Sequence, residues 1–367
     1  MKKVLYIGWI GYKNLGDELM FDLFKEQFLT LGDDYQLDSA NIEHKYLKNV
    51  RLQGYDLIVL GGGSLLSGNN NLIHPYIINY LYDCILLSKK VMIWGSGIDW
   101  APKSFIELLD NNVKIPLSIS DDLKTKMITV FNKSVWSGVR GPLTLKLLEQ
   151  YGVQNTHLSG DPGFLLDSQH HSNERNVQTH FDLLQANDKI IGVNWGTSFN
   201  HIYGQDELRV EEQLADALNH LILKGYHVYL YIVWQADLPA IEQLYSKLID
   251  KNKVTFDKKL YNHNELMSLM QIFTFTINFK LHANYISLAA NIPFIALGYR
   301  FKVFDFIKSV NLEDYIISTD EQNISEQIVI MESEIIKNKT SIKKNNNCYL
   351  ELYREKVKKP FDSGLYI

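Results

Sequence analysis

Short apolar runs alternate with amphipathic stretches along most of this chain. Val4–Gly8, Leu57–Leu60, Val91–Trp94 and Val135–Val139 read as strands. Asp17–Leu31, Leu72–Ser88 and Leu143–Tyr151 read as helices between them. Such alternation predicts a mostly parallel sheet covered on both faces. The stretch from Asp167 to Val177 is polar and lacks an apolar period, which marks it as a linker. A second set follows. Ile190–Trp195, His227–Val233 and Phe273–Phe279 read as strands, and Glu211–Leu223 and Leu238–Ile249 as helices. Ala283–Ala290 is helix-like, Pro293–Leu297 is a further apolar strand, and Ile324–Lys359 is a long polar-to-helical stretch.

The expected fold is α/β, with two Rossmann-like domains whose mostly parallel sheets face a cleft, as in the glycosyltransferase-B architecture. The expected boundaries are residues 1–168 for the first domain, 169–185 for a linker and 186–330 for the second domain. Residues 331–367 form a helical segment expected to cross back to the first domain.

Composition narrows the class. The chain has 367 residues, 46% of them hydrophobic, enough for two domains with sizeable cores. A net charge of −5 provides no basic field, which argues against a nucleic-acid partner. Cys84 and Cys348 are the only cysteines and have no metal or redox spacing, as in a reducing compartment. The apolar run Val4–Ile10 is short and is followed by no cleavage-site pattern. No stretch approaches the roughly 20 apolar residues of a membrane span. These features predict a soluble cytoplasmic protein.

Three glycine-rich turns follow strands of the first set. They are Gly8 to Glu18 with Gly11, Asn14 and Gly16; Gly61-Gly62-Gly63-Ser64; and Gly95-Ser96-Gly97. Strand, glycine turn and helix is how α/β folds bring backbone close to phosphates and sugars. The spacing fits neither G-x-G-x-x-G nor a P-loop, and no G-x-S-x-G elbow occurs. Asn14 and Gly16 are turn-shaping residues, and Asp17 and Glu18 suit either a helix first turn or an acceptor contact. His74, His170, His171, His201 and His263 have no metal-ligand spacing, so no metal is expected.

The densest chemistry lies at Lys280-Leu281-His282, with Tyr299 and Lys302 shortly after. A strand delivers a cation and an imidazole to the start of a helix, where α/β folds place their ligands and where anions are favoured. Two lysines and a histidine on such a rim suit a small, highly charged anion. Arg140 ends Val135–Val139 and precedes Gly141-Pro142. A guanidinium there can hold a carboxylate or phosphate bidentately, or pair with a surface acid. Asp161, in the turn Ser159-Gly160-Asp161-Pro162, is placed to orient a cation.

In order along the chain stand Gly11…Asn14-x-Gly16-Asp17-Glu18, Gly61-Gly62-Gly63 and Gly95-Ser96-Gly97-Ile98. Val139-Arg140 with Leu143 and Leu147-Leu148, Asp161-Pro162-Gly163-Phe164, Leu281-His282, and Tyr299 with Lys302 follow. From Met1 to about Phe306 this set resembles the polysaccharide pyruvyl transferase family. The resemblance implies a glycosyltransferase-B-like fold and an enzyme that uses phosphoenolpyruvate as donor substrate, with no other cofactor. It implies transfer of the enolpyruvyl carbon unit to two hydroxyls of a sugar, giving a cyclic ketal and phosphate. The acceptor would belong to a cell-surface glycan or its lipid-linked precursor, and the work would be done near the cytoplasmic membrane face. His282 is then the catalytic acid. Arg140, Lys280, Leu281, Tyr299 and Lys302 bind phosphoenolpyruvate, and Asn14, Asp17, Glu18, Gly62, Gly63, Ser64 and Ser96 meet the acceptor. Two positions depart from the family pattern. Lys280 stands where arginine is usual, and Gly141 where aspartate is frequent.

Two other readings are open on the residues alone. One is a nucleotide-sugar glycosyltransferase of the same architecture, the other a non-catalytic protein that binds a glycan or lipid carrier. The C-terminal stretch, rich in lysine, contains Tyr349, Leu350, Leu352 and Tyr353, which suit either a membrane-facing strip or a helix packed on the first domain.

Overall fold

The computed structural model describes residues 1–12, 14–67, 72–116, 119–167 and 189–367. Its strands form two six-stranded sheets in which the pairs are parallel. The residues divide into two compact units. The first holds Met1–Leu165, Arg300–Asn311 and Glu351–Ile367, and the second Leu166–Tyr299 and Leu312–Leu350. The division differs from the expected boundaries in one respect that matters for chemistry: Lys302 belongs to the first unit and Lys280 to the second. The linker expected over 169–185 lies outside the described residues, as do His170 and His171.

In the first unit the sheet comprises β1 (Lys2–Gly8), β2 (Tyr35–Asn41), β3 (Leu57–Leu60), β4 (Lys90–Ser96), β5 (Trp136–Val139) and β6 (His157–Leu158). Their order across the sheet is β2-β1-β3-β4-β5-β6. Every residue of β3 and β5 is buried. Helices Leu15–Phe28, Pro75–Leu86, Asp121–Lys133 and Pro142–Gln150 supply the covering layers. Each helix start has a local cause. Asn14 accepts from the Gly16 amide, Ser120 from the Leu123 amide, and proline opens the other two.

The second unit's sheet comprises β7 (Lys189–Asn194), β8 (Tyr226–Ile232), β9 (Val254–Leu260), β10 (Phe275–Asn278), β11 (Phe294–Gly298) and β12 (Ile316–Ser318). The order is β12-β11-β10-β7-β8-β9. Helices Glu207–Leu223, Leu238–Ser246, His263–Met270 and Leu281–Ala289 connect them. The last of these begins where β10 ends, next to β7.

One helix, Ile324–Asp362, contributes its earlier part to the second unit and its end to the first. Leu350 and Tyr353 are buried at 6% and 3% exposure, which removes them from any membrane-facing strip. No helix among the described residues is long and apolar enough to cross a membrane.

Candidate functional site

In the first unit the glycine turns after β3 and β4 lie side by side. The Gly97 amide donates to the Gly63 carbonyl at 2.8 Å, and the Ser96 hydroxyl bonds the Gly61 carbonyl. Arg140 directly follows β5 and reaches both turns. Its Nη1 donates to Ser64 Oγ at 3.2 Å and its Nη2 to the Ile98 carbonyl at 2.8 Å. A Cβ on Gly97 would stand 2.7 Å from Arg140 Nε, so only glycine leaves room for the guanidinium. Arg140 is 0% exposed. It therefore binds the turns together and offers no surface to a ligand in this structure.

Asp99 follows the third turn and gathers two cations. Arg300 Nη1 lies 2.7 Å from Asp99 Oδ2, and Lys302 Nζ lies 2.8 Å from Oδ1. The Lys302 amide donates to the Asp99 carbonyl at 3.2 Å, and the Asp99 amide to Ser67 Oγ at 2.9 Å. Burial opposes ionisation of Asp99. The charges of Lys302 and Arg300, with Arg140 behind them, outweigh it and hold the carboxyl below the usual carboxylate range. The Arg300 and Lys302 side chains each keep 16% exposure.

Asp305, fully buried, accepts from the Leu143 amide at 2.7 Å and from Thr144 Oγ1 at 2.6 Å. A remote carboxylate thus satisfies the open amides of helix Pro142–Gln150. A Cβ on Gly141 would stand 2.2 Å from Asp305 Oδ1. Asp305 occupies the place that a side chain at position 141 would take.

Asp161 is buried against the same layer and accepts from the Gly163 amide at 2.8 Å. Burial pushes its carboxyl up to about 6, with the Arg140 charge pulling the other way. A carboxyl raised in the native state contributes stability below its unfolded value, and that contribution is lost as pH rises through about 6. From 3.8 to about 6 the loss is on the order of 3 kcal/mol. Asp161→Asn is therefore expected to remove about that much of the fall in unfolding free energy between pH 4 and pH 7. Urea titrations of both proteins across that range check this; parallel curves would clear Asp161.

The expected acceptor residues are largely engaged in building the turns. Asn14 caps its helix, and Glu18 accepts from the Gly11 and Tyr12 amides at 2.7 and 2.9 Å. Gly62 and Gly63 are buried, Ser64 holds Arg140, and Ser96 is 0% exposed. Asp17 lies half-buried in the helix first turn.

In the second unit the site is assembled at the carboxyl ends of β7, β8 and β10. The Phe279 amide donates to the Asn194 carbonyl at 2.9 Å, and the Lys280 amide to Asn194 Oδ1 at 3.0 Å. Asn194 thereby fixes the turn that starts helix Leu281–Ala289. Lys280 Nζ reaches the Thr197 carbonyl at 2.5 Å and Asp237 Oδ1 at 3.1 Å, with the Trp234 ring centroid 5.0 Å away. Burial pushes the Asp237 carboxyl up, and Lys280 works against that. His282 sits half-buried in the first turn of the helix, two residues from Lys280. Leu281 and Tyr299 are buried, at 2% and 3% exposure, and the Tyr299 ring stacks on Phe279 at 4.4 Å.

A cavity of about 410 Å³ opens beside Thr197, lined by Trp195, Phe199, Glu207, Glu211 and Gln243 among others. Its two carboxylates disfavour an anion there.

Sequence reasoning passed over Arg300, Asp99 and Asp305 as site residues. Arg300 stands between Tyr299 and Lys302, and Asp99 directly follows Gly95-Ser96-Gly97-Ile98, so adjacency was their signal. Asp305 had none.

A profile of the polysaccharide pyruvyl transferase family matches residues 14–300, a span containing Arg140, Lys280 and His282. The chain belongs to the polysaccharide pyruvyl transferase family. No protein of curated function matches it. Solved structures of similar fold include a trehalose 6-phosphate synthase from Burkholderia multivorans, at a TM-score of 0.61 and 9% identity, covering 100% of this chain and 96% of that one. Anabaena HepE in complex with UDP and glucose has a TM-score of 0.59 and 12% identity, covering 100% of both chains. A UDP-GlcNAc 2-epimerase from Methanocaldococcus jannaschii has a TM-score of 0.55 and 11% identity, covering 90% of this chain and 92% of that one. At such identities the likeness establishes the fold, which is the expected glycosyltransferase-B-like α/β architecture. This pyruvyl transferase family member thus carries two cation-bearing corners, one in each unit.

Proposed function

We propose that this pyruvyl transferase family member takes its pyruvyl group from phosphoenolpyruvate and places it on two hydroxyls of a glycan sugar as a cyclic ketal, releasing phosphate. The family match over residues 14–300 carries this reading. The chemistry of the residues supports it. Phosphoenolpyruvate bears a carboxylate and a phosphate, and Lys280 and Lys302 are partly exposed cations at strand-to-helix turns.

His282 donates a proton to the methylene carbon of the donor. The adjacent carbon becomes electrophilic and is attacked by one sugar hydroxyl, which loses its proton. The C–O bond to phosphate breaks, and the second hydroxyl closes the ring with loss of its own proton. Histidine suits the first step because its ordinary pKa lies near neutrality. The acceptor is a sugar of a surface glycan, free or on a lipid carrier reached from the cytoplasmic membrane face.

The test is incubation of the protein with phosphoenolpyruvate and a panel of glycan acceptors. Phosphate release together with a mass gain of about 70 Da on an acceptor, repeated over many turnovers, is the expected result. Binding of UDP with no response to phosphoenolpyruvate would replace this reading with a nucleotide-sugar enzyme. Glycan binding with no phosphate release would replace it with a non-catalytic one.

A further inference from the structure

We propose that Phe199, whose ring lines the cavity of about 410 Å³ in the second unit, is the platform on which a neutral sugar ring of the acceptor stacks. The proposal names where this unit touches the acceptor and rests on the transferase reading above. Three observations carry it.

The first is the residue itself. Phe199 is 74% exposed, and its backbone stands at a φ of 54°. A bulky side chain in the left-handed region is strained, whereas glycine adopts it freely. An exposed ring contributes little burial to set against that strain. Strain of this kind collects at ligand clamps.

The second is how the turn is built. The Phe199 amide donates to Thr197 Oγ1 at 2.8 Å, and Thr197 Oγ1 donates to Glu207 Oε2 at 2.8 Å. The Ser198 amide donates to Glu207 Oε1 at 2.5 Å, and the Glu207 amide to Asn200 Oδ1 at 2.8 Å. These bonds tie residues 197–200 to the start of helix Glu207–Leu223 and fix the place of the ring. A ring held in advance loses little freedom when a ligand settles on it.

The third is its surroundings. The Phe199 ring meets Trp234 edge to face with centroids 6.0 Å apart, and Lys280 Nζ lies 5.0 Å from the Trp234 centroid. Trp234 thus links Phe199 to Lys280, which the proposed function gives to the donor. Glu207, Glu211 and Gln243 line the same cavity beside apolar Leu208 and Pro239. Glu211 is held by Trp195 Nε1 at 3.1 Å and by Lys247 Nζ at 2.8 Å. An ionised carboxylate has about four lone-pair sites, so Glu207 and Glu211 accept further bonds from hydroxyl groups. Fixed acceptors around apolar and aromatic surface suit the hydroxyls and the C–H face of a sugar. The same carboxylates repel the phosphates of a nucleotide.

The experiment compares wild type with Phe199→Tyr and Phe199→Gly. Binding of methyl glycosides of glucose, galactose, mannose and N-acetylglucosamine is measured by saturation-transfer NMR titration, alongside thermal melts. Wild type is expected to bind at least one glycoside. Phe199→Gly should bind it about 10-fold more weakly, and Phe199→Tyr within about threefold of wild type. The melting temperature of Phe199→Gly should not fall, because glycine takes the left-handed conformation without strain. Equal binding by wild type and Phe199→Gly overturns the proposal, and so does the absence of glycoside binding by wild type. Binding of UDP that is lost in Phe199→Gly gives the cavity to a nucleotide and overturns it too. With an acceptor that supports phosphate release, Phe199→Gly should raise the acceptor KM about 10-fold and leave the phosphoenolpyruvate KM within about threefold. The reverse pattern overturns the proposal. Should wild type release no phosphate from phosphoenolpyruvate, the transferase reading fails on its own, and glycoside binding alone decides the platform.

Discussion

His282→Ala is expected to lower turnover with phosphoenolpyruvate by about two to four orders of magnitude, the usual worth of a positioned acid. The fold should survive. His282 lies in the first turn of helix Leu281–Ala289 and is half-buried, while the residues that hold that turn are Asn194, Phe279 and the Lys280 backbone. Donor binding should change little, because the Lys280 charge remains. Rapid-quench measurement of phosphate release at saturating donor separates chemistry from binding, and a thermal melt confirms the fold. A variant with near-wild-type turnover would remove His282 from proton transfer. The proposal would then need another acid near Lys280.

Removal of Glu351–Ile367 is expected to abolish cooperative folding of the first unit. Phe361 packs its ring against Phe24 and Trp94, with centroids 5.2 and 5.6 Å apart. Tyr353 stacks on Phe164 at 4.5 Å, and Trp94 Nε1 donates to the Val357 carbonyl at 3.0 Å inside the core. Tyr353, Val357, Phe361 and Leu365 are each less than 5% exposed. At about 1.5–3 kcal/mol for each large apolar side chain, their loss amounts to about 6–12 kcal/mol, comparable to the whole stability of a domain at roughly 5–15 kcal/mol. Phe361→Ala offers a graded version, with an expected loss of about 3–5 kcal/mol in urea unfolding. A truncated protein that still melts cooperatively with both units intact would show that the helix end is an accessory.

The sequence pattern and the structure agree most closely in the middle of each sheet. The eight central strands, β1, β3, β4, β5, β7, β8, β10 and β11, are those that the apolar runs predicted. The four edge strands, β2, β6, β9 and β12, escaped the pattern. A central strand of a parallel sheet is covered on both faces and must be apolar, whereas an edge strand is partly open and tolerates polar residues. Tyr35–Asn41 reads YQLDSAN and has no fully buried residue, and Val254–Leu260 carries Asp257, Lys258 and Lys259. Neither announces itself as a strand.

The site divides in the same way. Lys280, His282, Arg140 and Lys302 were visible because each sits at a motif beside a strand-to-helix junction, and the local order of residues encodes such junctions. The fold reassigned their partners. Asp99 and Arg300 are 201 residues apart in sequence and meet because Arg300–Asn311 packs into the first unit. Asp305 caps a helix 161 residues before it and thereby requires glycine at position 141. Arg140 was read as an anion-binding residue or the partner of a surface acid, and the structure shows it buried and bonded to Ser64 and the Ile98 carbonyl. By itself the sequence determined the family, the two α/β sets and which side chains carry charge, because periodicity and motif order are local properties. Exposure and long-range pairing depend on how distant segments pack. Only the tertiary structure decided that Arg300 and Lys302, and not Arg140, keep accessible surface in the first unit.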